Sequence, residues 1–441
     1  MFKAAVVVPT WQFFKDPFKL QPTYELHYAT IIDSRFSDNE VKASVIDLRE
    51  LRRDGCKYSI DNVCEYIPRQ DIYFYWIMRS GNASEFKSVV EQLRKAYPES
   101  KHVAGGFHIL GTQEESSKIF DSIVLGPGEE SFVNATKDCM NKSLKEVYSS
   151  DWRSIDLNNY PFPRRHYIAE HGVVSTDLFE AYGSVKGTCC LFSRGCPFNC
   201  IYCYANVPNF RQGRSPEHIG AEIKYLKDEY NIKSINLRDE LYLPLNKVRA
   251  TKQLEEIKKH DIIWRGQGRI EADKDTLKLA RDSGLVELSV GVESASQKVL
   301  DIIKKNEKID DIKAFIANCK DVGIKVKTCF IFGLPGEPKN IVDITRSFIE
   351  EVEPDYANVS GLCPYPGSES YINAEKYGIE SIDKNWGNYG HLMCRFSDDE
   401  HFGLPFKYAK NTEWGESFTR DEIVNNIREL QHFLKLHNKV W

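Results

Sequence analysis

Six strand-like apolar runs alternate with six helix-like segments between residues 186 and 370, and no other feature limits the fold as strongly. The strands fall at 188–193, 234–237, 262–265, 285–292, 325–332 and 357–362. The helices fall at 219–230, 248–260, 275–283, 295–304, 309–322 and 340–351. Each helical crossover returns the chain to the end where its strand began, so successive strands are parallel. Six βα units in a row predict a partial (β/α)6 TIM-type barrel, with its working end at the carboxyl ends of the strands.

A second alternation precedes it. Strands are expected at 4–8, 43–48, 71–78, 102–104 and 122–125, with helices at 26–35, 83–97 and 116–119. This predicts a Rossmann-like, doubly wound parallel sheet over 1–150, which binds ligands beyond its carboxyl edge. That edge carries Pro9-Thr10-Trp11, Gly105-Gly106-Phe107-His108 and Gly126-Pro127-Gly128-Glu129-Glu130. Glycines there either admit close approach of a ligand to backbone or make ordinary tight turns. Residues 151–185 read as a linker, because Asn159-Tyr-Pro-Phe-Pro-Arg-Arg165 places two prolines where helix is disfavoured. Residues 371–441 form a small C-terminal segment, a lid or substrate-side element, ending in a helix at 421–436. Within it Trp386, Tyr389, His391, Cys394 and Arg395 make an aromatic and polar patch. The expected class is α/β throughout.

Composition removes several functions. The 441 residues suit two or three domains. Lys and Arg total 59 against 64 Asp and Glu, which fits neither a basic nucleic-acid coat nor an acidic tail. The pairs Arg164-Arg165 and Lys304-Lys305 read as solvated faces. Mean hydropathy is −0.45 and no apolar run nears the length of a membrane span. The N-terminus reads as a strand rather than a signal peptide, giving a cytoplasmic expectation. Of 12 cysteines, Cys56, Cys64, Cys139, Cys319, Cys329, Cys363 and Cys394 are scattered and read as small core residues. For Cys329 and Cys363, core packing is preferred to a redox role.

The other five cysteines lie between Cys189 and Cys203. Three of them, in Arg194-Gly-Cys-Pro-Phe-Asn-Cys-Ile-Tyr-Cys-Tyr204, have C-x3-C-x2-C spacing directly after the first barrel strand. Soft thiolates on a tight loop suit an iron–sulfur cluster. With only Cys196, Cys200 and Cys203 available, one iron of a 4Fe–4S cluster is left open to an outside ligand. Structural zinc takes four closed ligands, commonly as CxxC pairs, and no second pair follows.

This motif resembles the signature of the radical S-adenosylmethionine (radical SAM) superfamily. The resemblance covers about 186–370 and implies 4Fe–4S ligation by the three cysteines. It implies S-adenosylmethionine contacts from Tyr202, from Asp239 and Glu240 after the second strand, and from Glu293 and Ser294 in Gly-Val-Glu-Ser after the fourth. Glu293 is implied to bond the ribose. Ile331 and Gly333, in Phe330-Ile-Phe-Gly-Leu-Pro-Gly-Glu337, are implied to lie along the adenine, and Pro364-Tyr-Pro-Gly-Ser368 resembles the end of the sixth strand. The implied chemistry is reductive cleavage of S-adenosylmethionine to methionine and a 5′-deoxyadenosyl radical, which takes hydrogen from an unactivated carbon. An external electron donor such as flavodoxin or ferredoxin is implied.

The first domain, with Gly105–His108, Ile123–Phe132 and the linker 155–164, resembles the cobalamin-binding domain fused before many such barrels. That resemblance implies cobalamin contacts from Thr10, Gly105, Gly106, His108, Gly126, Gly128 and Glu129. It places cobalamin between the two domains and implies C-methylation of a small molecule or peptide, using one S-adenosylmethionine to methylate cobalt and a second for the radical. The D-x-H-x-x-G motif that gives cobalt an axial His elsewhere is absent; His108-Ile-Leu-Gly111 supplies only H-x-x-G, after a different strand. A non-methylating cyclase or rearrangement enzyme, or a first domain that no longer binds cobalamin, are the alternatives. A tRNA methylthiotransferase has a similar layout, but neither three N-terminal cluster cysteines nor a terminal RNA-binding β-domain is evident here. Nucleic acid and membrane partners are not expected.

Overall fold

The computed structural model describes residues 1–12, 14, 16–53, 60–204, 209–389 and 404–440. The chain divides into two units. The first holds residues up to Ser175 with Tyr365–Gly367 and a short stretch around Trp386.

Six parallel strands make the first unit's sheet: β1 (Phe2–Val8), β2 (Val41–Asp47), β3 (Ile72–Trp76), β4 (Lys101–Gly105), β5 (Ser122–Leu125) and β6 (Val147–Ser149). Their order is β2-β1-β3-β4-β5-β6. Residues 4–8 and all of β3 are buried, as expected of parallel strands covered on both faces. Ala4, Val6, Phe74 and Trp76 pack with Tyr28 of α1 (Thr23–Arg35) and Phe132 of α5 (Gly128–Met140). The Phe74 and Phe132 rings stack with centroids 4.5 Å apart, and Tyr28 lies 4.6 Å from Trp76. Three helices lie between these in sequence: α2 (Ala83–Ala96), α3 (Phe107–Gly111) and α4 (Gln113–Ile119). Strand order reverses between β1 and β3, so the crevice of this doubly wound sheet opens past Thr10 and Ser80. Ile155, Leu157 and Tyr160 also enter this core.

The second unit holds a second parallel sheet of six strands: β7 (Gly187–Cys190), β8 (Ser234–Leu237), β9 (Ile263–Gly268), β10 (Leu285–Glu293), β11 (Lys325–Phe332) and β12 (Tyr356–Gly361). Each strand pairs with the next in sequence, and β7 and β12 are the two edges, giving a (β/α)6 partial barrel. Local signals set its helices. Ser215 caps Pro216–Tyr230, which has Pro at its start and ends at Asn231 with φ 53°. Asp273 caps Lys274–Asp282. A Thr419–Glu422 capping box opens the last helix, Arg420–Leu436. The amino end is closed by Leu178 and Phe179 packed with Val286, and Arg265 donates to the Leu178 carbonyl at 2.8 Å. No helix among the described residues is long and apolar enough to cross a membrane.

One member of each basic pair departs from the solvated face expected of it, while Arg164 is exposed and Lys304 partly so. Arg165 is fully buried and Lys305 nearly so. Arg165 donates to the Pro163 carbonyl, and Lys305 lies among carboxylates at the barrel's carboxyl end. Cys319 and Cys363 are buried, while Cys64, Cys139 and Cys329 are half-buried. Cys56, His391, Cys394 and Arg395 lie outside the described residues.

Candidate active site

After β7 the chain makes a two-residue strand, Ser193–Arg194, paired antiparallel with Gln212–Gly213. Cys196, Cys200 and Cys203 lie on the excursion between them. Gly195, with φ 78°, turns the chain into it. Cys203 N–H donates to the Cys200 carbonyl at 3.1 Å, Ile201 N–H to the Ile303 carbonyl at 3.1 Å, and Ser370 N–H to the Ile201 carbonyl at 2.8 Å. The loop is thus pinned on two sides. Burial, the largest influence, raises the Cys196 thiol to about 11.

Two carboxylates after β8 brace this loop. Asp239 accepts from Phe192 N–H at 2.8 Å and from the Ser193 hydroxyl, with Arg211 Nη2 3.6 Å away. Glu240 accepts from Gly195 N–H at 3.1 Å, next to the first cysteine. Burial raises Asp239 to about 6 against the pull of Arg211, and Glu240 to about 7.

Glu293 and Ser294 end β10, where the register with β11 shifts between Gly291 and Glu293. The irregularity puts Glu293 at φ 66° and re-aims its side chain. Its Oε1 lies 3.5 Å from Lys305 Nζ. Burial, then the nearby Glu293 and Cys200, push the Tyr202 phenol far above its ordinary range. Ser294 is buried and its hydroxyl accepts from Ser296 N–H at 3.2 Å. On β11, Ile331 is half-buried; Gly333 follows with φ 81°. Gly333 N–H donates to Glu337 at 2.9 Å and its carbonyl accepts from Tyr408 at 2.8 Å. Glu293, Ser294, Ile331 and Gly333 therefore gather at the carboxyl ends of two paired strands.

Arg269, just beyond β9, carries no motif and was not legible in the sequence. It lies 3.4 Å from the Cys200 sulfur. Lys305 and Glu307 join it, the latter 2.9 Å from Arg269 Nη2.

The residues singled out in the first unit are engaged mostly within it. Thr10 N–H donates to Glu85 at 2.9 Å, and its carbonyl accepts from Arg52 at 3.3 Å. A Cβ on Gly105 would stand 2.7 Å from the Trp76 ring, and one on Gly128 2.7 Å from Tyr28. Gly106 and Gly126 have φ of 103° and 120°. Glu129 is fully buried, 3.3 Å from His27 Nε2. These glycines are thus required by the unit's own packing and backbone. His108 is buried, 2.9 Å from the Ser80 hydroxyl and edge-on to Trp386 at 5.1 Å. Burial lowers it to about 4, so its imidazole is neutral at pH 7.

The fit of two cofactors can be tested on these atoms. Among the described residues no group of three or more His, Cys, Asp or Glu side chains is placed to hold a metal ion. A cluster instead spreads three thiolates over separate corners, and the soft donors on one pinned loop beside a guanidinium match that chemistry. For cobalamin, buried Trp76 Nε1 and Asn82 Oδ1 at the carboxyl end of β3 have no hydrogen-bond partner among the described residues. Such unspent polar atoms suit a polar ligand over that edge.

Residues 190–349, within the second unit, match the family model of the Radical SAM superfamily. The chain is 30% identical over 311 residues to an uncharacterized methyltransferase of Pyrococcus horikoshii, covering 65% of each chain. It is 26% identical over 355 residues to the bacteriochlorophyllide d C-8(2)-methyltransferase of Chlorobaculum tepidum, covering 77% of this chain and 76% of that one. Among solved structures, the radical S-adenosylmethionine methyltransferase TsrM from Kitasatospora setae, with cobalamin and a [4Fe-4S] cluster bound, shares the fold. The TM-score is 0.70 at 15% identity, covering 100% of this chain and 93% of TsrM.

Proposed function

We propose that the chain is a cobalamin-dependent radical SAM methyltransferase acting on an unactivated carbon of a small molecule or peptide. The observation that carries this is the pinned loop of Cys196, Cys200 and Cys203 at the carboxyl end of β7, with Glu293 near its Tyr202 and Arg269 3.4 Å from the Cys200 sulfur. The three thiolates would hold three irons of a 4Fe–4S cluster and leave the fourth for S-adenosylmethionine. The bound cluster supplies the electron that cleaves the sulfonium, and an external flavodoxin- or ferredoxin-like donor restores it.

Each protein group then has a defined task. Asp239 and Glu240 hold the cysteine loop. Glu293 accepts from the ribose hydroxyls, while Ser294, Ile331 and Gly333 line the adenosyl moiety and Tyr202 shields it. The first unit takes cobalamin at its carboxyl edge, where Trp76 Nε1 and Asn82 Oδ1 have no partner among the described residues. Domains at 1–150 and 186–370, with 371–441 on the substrate side, fit this division. Relatives named as methyltransferases that cover much of the chain favour methyl transfer over ring closure.

Methyl-labelled S-adenosylmethionine tests the reading. The label is expected in the product, together with 5′-deoxyadenosine. Product free of label, formed with 5′-deoxyadenosine, contradicts methyl transfer and leaves cyclisation or rearrangement.

A further inference from the structure

We infer that Arg269 raises the reduction potential of the cluster by donating an N–H to the Cys200 sulfur while its fixed charge lies against that ligand. This rests on the cluster reading above. Arg269 is only 6% exposed, and each edge of its guanidinium is engaged. Nη1 lies 3.4 Å from Cys200 Sγ. Nε donates to Glu271 at 2.8 Å. Nη2 donates to the Lys305 carbonyl and stands 2.9 Å from Glu307 Oε1. The guanidinium also covers the Phe198 ring at 3.9 Å, between the first and second cysteines.

This geometry fixes the sign of the effect. Arginine does not lose its proton in proteins, so the charge is permanent. A donor on a cluster sulfur and a buried cation both favour the state with one more electron, and hydrogen bonds to sulfur and net charge tune cluster potentials. Burial strengthens both influences by excluding water. Glu307 works in the opposite direction. Its side chain is 3% exposed and also lies 3.7 Å from Lys305, so its negative charge offsets part of the Arg269 effect.

The test is a one-electron redox titration of the anaerobic full-length protein, followed by electron paramagnetic resonance, with iron and sulfide measured on each sample. Arg269→Gln is expected to lower the equilibrium constant for reduction by about tenfold or more, about 59 mV. Arg269→Lys falls between it and wild type, and Glu307→Gln moves the midpoint upward. An Arg269→Gln midpoint that matches wild type, with iron retained, overturns the inference and leaves the cluster reading intact. If Arg269→Gln fails to hold iron, an unmoved midpoint in Glu307→Gln overturns it instead. Absence of iron and sulfide from the wild type overturns both.

Discussion

Glu337 is the carboxyl group with the plainest pH signature in the molecule. Burial pushes it up to about 8, against the lowering effect of the Gly333 and Leu334 N–H groups. In the unfolded chain it ionises near 4.5, so its stabilising contribution is full below that pH and is lost as pH rises toward 8. Each pH step in that window costs about 1.4 kcal/mol. Urea midpoints of wild type should therefore fall between pH 5 and 8 relative to Glu337→Gln, and parallel curves for the two would contradict this. Glu293 supports a different test. Replacing it by Gln should weaken S-adenosylmethionine binding roughly tenfold, the scale of one charged hydrogen bond, with iron content unchanged. Equal affinity measured by equilibrium binding would remove it from the ribose. The places of the three cysteines, Glu293 and Gly333 at strand ends were legible because each sits in a short motif, while their roles are proposals. Arg269 and Lys305 were not. One stands alone after a strand, and the other looked like half of a solvated pair until folding enclosed it among carboxylates.

Elements were legible where the apolar period was long. The strand expected at 325–332 matches Lys325–Phe332, and that at 285–292 falls within Leu285–Glu293. Short elements gave too little pattern. The stretch Gly105-Gly106-Phe107-His108 read as a ligand-facing loop or a tight turn, yet Phe107–Gly111 is a single helical turn. The edge strand Val147–Ser149 has three residues, too few to show alternation. At Gly128 the sequence offered two readings, ligand approach or tight turn. The structure gives a third, since the residue starts a helix against Tyr28 and Trp76. Gly128→Ala should therefore cost about 1–3 kcal/mol by overpacking, read as a lowered urea midpoint of the first unit. An unchanged midpoint would return this glycine to a ligand-facing role.

At the scale of the whole molecule, the two parallel sheets present two carboxyl edges, and the chemistry proposed here uses both. The first edge makes a claim of its own. Hydroxocobalamin added to the protein should remain bound through desalting, and Trp76→Phe, which removes an indole N–H with no partner among the described residues, should weaken that retention. Cobalamin washing out of the wild type would leave the cluster reading intact and end the cobalamin reading. The central claim lies at the other edge. It is tested most directly by metal, sulfide and electron paramagnetic resonance analysis of anaerobic wild type beside the Cys196→Ala, Cys200→Ala, Cys203→Ala triple variant. The account predicts iron and acid-labile sulfide in equal amounts, with a reduced-cluster signal that the triple variant loses. Zinc without sulfide in the wild type, or an undiminished cluster signal in the variant, would contradict it.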